Sequence, residues 1–176
     1  MAHSLRERQR ELLAAEVPLG PVKRTGSFRV AIAYPNLYFV GMSNLGMQSV
    51  YRMLNDIPEV VCERVFLPED VHTEELERTG RPLTSIESGT ELRQFDMIAF
   101  SVLFENDYLH VLKMLRMAGI PLRAADRGPG DPIIVFGGSG FKKTADPPNT
   151  TIGSFEPCSV ARSGMPPIRS ILRTCR

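Results

Sequence analysis

Two short stretches hold the side chains whose types and spacing invite chemistry. In FDMIAFSVLFEN, residues 95–106, an apolar run ends in Ser101-Val102-Leu103 and turns polar at Glu105, Asn106 and Asp107. In DPIIVFGGSG, residues 131–140, a similar run ends in the pair Gly137-Gly138. Ser101 can offer its hydroxyl to a ligand or cap its own loop. The glycine pair either admits the close approach of something large and flat or simply makes a tight turn. Glu105 and Asp107 could form a carboxylate pair for acid–base work. Their plainer role, favouring the N-terminus of a following helix through capping and the dipole, outweighs that reading. His72 and His110 have no matching ligands, and His110, three residues after Asp107 on a helical pattern, reads as a solvated surface histidine. Cys62, Cys158 and Cys175 show no metal-ligand spacing. Cys62, between Val61 and Glu63 in an apolar run, is expected to be a buried, inert thiol. The segment GGSGFKKT, residues 137–144, comes near the phosphate-binding pattern G-x-x-x-x-G-K-[ST], but Lys142 stands where that pattern needs glycine. A small nucleotide-binding protein is the weakest of the readings for that reason.

The elements that must position these residues are legible from periodicity. Apolar runs at residues 28–34, 60–67, 97–102 and 132–138 read as strands, the first two closed by Pro35 and Pro68. Met47, Val50, Tyr51 and Leu54 recur at helical spacing behind a Ser43-Asn44 pair suited to capping. Residues 69–79 read as a polar helix stopped by Gly80. Tyr108, Val111, Leu112 and Leu115 give another helical face, ended by Gly119. Residues 36–46 read as a loop, and residues 81–95 as a connector with a short extended piece at 83–86. Residues 5–16 predict a charge-rich helix, with a frayed tail as the alternative because its apolar stripe is thin. Strands alternating with helices at this spacing predict an α/β fold: a Rossmann-like (flavodoxin-like) parallel sheet of about four strands with flanking helices, incomplete at its C-terminal edge. The continuous apolar character of residues 30–33, 97–100 and 133–136 predicts strands covered on both faces. Ligands of such sheets bind beyond the carboxyl ends of the strands. That places a site at residues 34–42, 68–70, 101–107 and 137–140.

Composition bounds the rest. With 176 residues, 43% apolar and 23% charged, the chain fits one soluble domain with a real core. A net charge of +1 gives no electrostatic case for nucleic acid or a membrane surface as partner. No stretch reaches the length of a membrane span, and the charged N-terminus lacks the apolar core of a signal peptide, so a cytoplasmic location is expected. Residues 1–27 form an N-terminal helix and linker, 28–140 the Rossmann-like domain, and 141–176 a Pro/Arg-rich tail. That tail carries two Pro-Pro pairs and six basic residues against two acidic ones, and is expected to be poorly ordered.

Several phrases in order carry a resemblance: Y-P-N, G-M-S-N-L-G, C-E-R-V-F-L-P, S-x-x-x-E-N-D-Y and G-I-P-L-R-A-A-D-R. Together they resemble the N-terminal domain of a radical SAM family whose members fuse a cobalamin-binding-like Rossmann domain to a radical S-adenosylmethionine barrel. Cobalamin-binding domains carry D-x-H-x-x-G after the first strand, S-x-L after the third and G-G after the fourth. Ser101 and Leu103 match the second part, and Gly137 and Gly138 the third. The resemblance implies that these four residues border the corrin's lower side and its nucleotide tail. The first part is absent, since residues 35–42 read PNLYFVGM, so the resemblance implies cobalamin without a histidine ligand, or a domain that kept the fold and lost the cofactor. The family's C-x-x-x-C-x-x-C motif, whose thiolates hold a [4Fe–4S] cluster that binds S-adenosylmethionine, does not occur in this sequence. The expectation is an N-terminal domain that is not catalytic alone, partnered by a radical SAM barrel normally in the same chain, and truncated or frame-shifted after about Gly140. The alternative is a non-catalytic Rossmann-like interaction or scaffold domain in which Ser101 and the glycines only shape loops.

Overall fold

The computed structural model describes residues 4–18 and 22–138. The expected tail at 141–176, with Cys158, Cys175 and the phosphate-loop near-match beyond Gly138, lies outside the described residues. In chain order the elements are α1 (Leu5–Ala15), β1 (Phe28–Tyr34), α2 (Tyr38–Met42), α3 (Leu45–Asn55), β2 (Val60–Phe66), α4 (Asp70–Thr79), β3 (Met97–Ser101), α5 (Asp107–Met117) and β4 (Ile133–Gly137). The four strands are all parallel in the order β2-β1-β3-β4, the start of a flavodoxin-like sheet.

Parallel neighbours need crossovers, and right-handed crossovers fix where the helices lie. The step from β1 to β2 runs one way across the sheet, and the steps to β3 and β4 run the other. The helices therefore divide between the faces. Val30, Ile32 and Tyr34 of β1 face Met47 and Leu54 of α3. Their neighbours Ala31 and Ala33 face Leu76 of α4 and Val111, Met114 and Leu115 of α5. One strand thus feeds two cores through its period of two.

Local chemistry explains the boundaries. Asn44 caps α3 by accepting the Met47 N–H at 2.8 Å, a contact of about 1 kcal/mol. Ser4 and Glu7 form a reciprocal capping box on α1. Gly80 leaves α4 in the left-handed region at φ 65°.

The helix expected at residues 5–16 is present as α1, and it is packed: Leu5 joins the α4/α5 core, while Leu12 and Leu13 join the α3 core. Two expectations need correcting. Residues 38–42 are not loop but the short helix α2, with Gly41 buried against the Phe66 ring so closely that a Cβ there would overlap it. The other concerns β4, whose apolar run predicted cover on both faces: that cover is only partial, with Ile134 and Phe136 against the α4/α5 core, Val135 against the α3 core, and none of its five residues fully buried among the described residues. By contrast the connector is an edge cover. Thr84 bridges Glu91, and the Ile86 N–H reaches the Arg64 carbonyl at 2.9 Å along the outer side of β2.

Candidate functional site at the carboxyl edge of the sheet

The strand order reverses between β1 and β3, with α3 on one face there and α5 on the other. In open α/β sheets this is where a crevice forms. Its walls are the turn after β1 and the residues between β3 and α5. Tyr34 ends β1 almost fully buried. Burial and the nearby Asp107 carboxylate push its phenol up, partly offset by a hydrogen bond with Asn44. The next carbonyl, Pro35, meets Nδ1 of His110 at 2.8 Å. A carbonyl can only accept, so Nδ1 is the donor of this bond. His110 is therefore a half-buried tie across the crevice, which corrects its reading as a solvated surface histidine.

Asp107 is also not a simple helix cap. It is buried, and one carboxylate oxygen, Oδ2, accepts the N–H groups of Leu103 at 2.8 Å and Phe104 at 2.9 Å. It pins the loop after β3, while α5 has Asn106 at its N-cap with no side-chain cap bond. Glu105 is exposed, so the two carboxylates occupy different environments and form no acid–base pair.

The four residues singled out from the sequence come together on the next strand pair. Ser101 and Gly137 are register partners on β3 and β4, and the Val102 N–H donates to the Gly137 carbonyl at 2.7 Å. A Cβ on Gly137 would meet nothing within 4 Å among the described residues, so its backbone is open on that side to them. Gly138 differs: its φ is 120°, and a Cβ there would overlap the Val102 carbonyl. Packing of the two strand ends alone requires glycine at that position. Ser101 is half-buried, and no hydrogen bond among the described residues uses its hydroxyl. Leu103 packs against the α3 core, while Val102 between them is fully buried in the other. Large apolar side chains meet solvent on the segments that follow β1 and β3: Phe39 at 65%, Leu45 at 78% and Phe104 at 64% exposure; Phe39 and Leu37 line a cavity with α1 and the end of β2.

Cys62 lies far from this edge chemistry on β2, buried, with burial pushing its thiol up. Sequence reasoning missed Tyr34, Asn44 and His110 as one cluster. The sequence could place His110 one turn after Asp107 at a strand end, near the expected site, but not its bond to Pro35.

With this geometry in view, a scan against protein families matches residues 46–151 to the family described as radical SAM proteins, N-terminal. The match covers more than half of the 176 residues. The chain belongs to the radical SAM proteins, in their N-terminal region. Neither the curated proteins nor the solved structures give a match to it. The matched part of this radical SAM N-terminal region includes Ser101, Leu103, Gly137, Gly138, Asp107 and His110, and begins after β1. No helix among its described residues is long and apolar enough to cross a membrane.

Proposed function

We propose that the chain is a cytoplasmic, cobalamin-binding-like N-terminal domain that works with a radical SAM barrel. The observation that carries this is the pairing of Ser101 with Gly137 at the carboxyl edge, one strand from the switch point. The residues present fit a corrin in two respects. Gly137 leaves its backbone open to a flat macrocycle, and the Ser101 hydroxyl is available to a nucleotide tail. The exposed Leu45 and Phe104, on the segments that follow β1 and β3, suit a ligand with large apolar faces. No histidine lies in residues 35–42, so the cobalt would take no protein ligand from the loop after β1. Bound cobalamin would supply methyl-transfer or one-electron chemistry, and this chain's residues would hold and orient it. The C-x-x-x-C-x-x-C motif is absent from this sequence, so no step of S-adenosylmethionine cleavage is assigned to it.

One observation favours a second reading, an interaction or scaffold domain without cofactor: the contact between Gly138 and Val102 explains that glycine without any ligand. Titration with hydroxocobalamin separates the two. The proposal expects a change in the corrin absorbance and a raised Tm for the wild-type chain. Gly137→Val, whose side chain enters open space, should keep the apo Tm and lose the ligand. Gly138→Ala should instead lower the apo Tm, by about 1–3 kcal/mol of stability. A wild-type chain with neither spectral change nor thermal shift at high cobalamin sinks the cofactor reading and leaves the scaffold.

A further inference from the structure

A groove of about 730 Å³ runs between the second half of α4 and the length of α5, from Leu109 to Gly119. Its lining includes none of Ser101, Asp107, His110 and Gly137 of the crevice. Its walls are fixed relative to each other. The Leu83 N–H, just after α4, donates to the Met117 carbonyl at the end of α5 at 3.0 Å. Gly80 and Gly119 turn the chain away from the two helix ends, both at φ 65°.

Two features of the lining are unusual for a surface that meets only water. Leu109 and Leu112 line it at helical spacing, 68% and 38% exposed. The charged residues of the lining are Arg81, Lys113 and Arg116 against Glu77 alone. Lys113 is held only loosely, by Asp70 at 3.8 Å with that carboxylate 96% exposed. A pair so exposed contributes little and is readily exchanged. An apolar ridge beside three cations is the complement of a helix with leucine-like anchors and an acidic flank. The cations would also steer such a segment during encounter.

We propose that the α4/α5 groove docks an acidic amphipathic helix of a partner polypeptide. The inference is independent of cobalamin, since no residue of the carboxyl edge takes part in it.

The test uses the full chain, labelled with ¹⁵N, and a synthetic peptide of about 15 residues, long enough for roughly four helical turns. The peptide has leucine at i, i+3, i+4 and i+7 and glutamate on one flank. A second peptide carries lysine for each glutamate. The expected result is that amide shifts concentrate on residues 76–82 and 109–119, and that the acidic peptide binds at least about tenfold more tightly than the basic one. Leu109→Ser and Lys113→Glu/Arg116→Glu are surface changes that leave Tm in place, and each should weaken the acidic peptide by a similar factor. Equal or tighter binding of the basic peptide overturns the proposal, as does the absence of shifts in the groove at millimolar acidic peptide. Co-sedimentation with phosphatidylcholine/phosphatidylglycerol vesicles that Leu109→Ser abolishes would replace the peptide with a lipid surface. A concentration-dependent dimer lost in the same variant would replace it with a second copy of the chain.

Discussion

The two outer strands of this sheet are built in opposite ways. Every residue of β2 is buried, including Glu63 and Arg64 in its middle, whereas no residue of β4 is. The outer side of β2 is closed by residues 84–90 and α1 through polar contacts. The Arg64 guanidinium Nε meets Glu87 at 2.6 Å, and its terminal nitrogen meets Glu16 at 2.8 Å. Tyr51 lies 5.0 Å from it, ring to cation, and the Tyr38 hydroxyl donates to Glu16 at 2.6 Å. Burial alone would lower the Arg64 pKa, but the Glu87 and Glu16 carboxylates outweigh it and keep the group charged. Glu63 is satisfied in turn by Ser85, Ser88 and Arg29. β4 carries only Ile, Val, Phe and Gly, with no charge among its residues to oppose further pairing. The lesson is that a parallel sheet can end on buried, fully partnered charges. The strand that ends this way then accepts no neighbour.

The comparison can be broken most forcefully at Arg64. Arg64→Ala leaves Glu87 and Glu16 facing each other without a cation, and should cost about 3–5 kcal/mol in denaturant unfolding. A loss below about 1 kcal/mol would mean that the closed edge is decorative.

A smaller effect sharpens the role of Glu63. Burial pushes its carboxyl up, but hydrogen bonds from Ser85, Ser88 and Arg29 outweigh this and hold it below its ordinary 4.5. A carboxylate whose folded value is depressed stabilises the fold above the unfolded value, and that contribution is lost as pH falls through the folded one. Denaturant midpoints measured from about pH 7 to about pH 3 should therefore decline on the acid side, and Glu63→Gln should flatten part of that limb. An unchanged acid limb in the variant would detach Glu63 from the latch. The smallest effect belongs to the other edge: Ile133→Lys, at a side chain 39% exposed, should change stability by no more than about 0.5 kcal/mol. A large loss there would show that β4 is as closed as β2.

The same contrast explains what the sequence made legible. Strands β1 and β3 and helices α3 and α5 announce themselves because their apolar spacing reports directly on which face is buried. So do Asn44 and Gly80, whose backbone roles are local. The Arg64 latch was not legible, because Glu63 and Arg64 inside an apolar run look like positions that face water. The Arg64 partners Glu16 and Glu87 lie 48 and 23 residues from it in the chain. Helix α2 was hidden for a related reason. YFVGM has neither a cap nor a polar face, and its Gly41 reads as a loop residue although it is the point of closest contact with Phe66. At the carboxyl edge the positions of Ser101 and Gly137 could be foreseen, because strand ends follow from strand runs. The tie from His110 to Pro35 could not, since it joins residues 75 apart through a single proton.

Helix α1 carries one further consequence, for how the chain is made. Arg6 donates to the carbonyls of Ser85, Ile86 and Glu87, which follow it by 79, 80 and 81 residues. During synthesis this helix must therefore wait, on the order of ten seconds at ordinary elongation rates, before its docking surface exists. Its capping box allows it to form early, but its leucines stay uncovered until the connector emerges. A helix made early thus finds its place only once residues 84–90 exist.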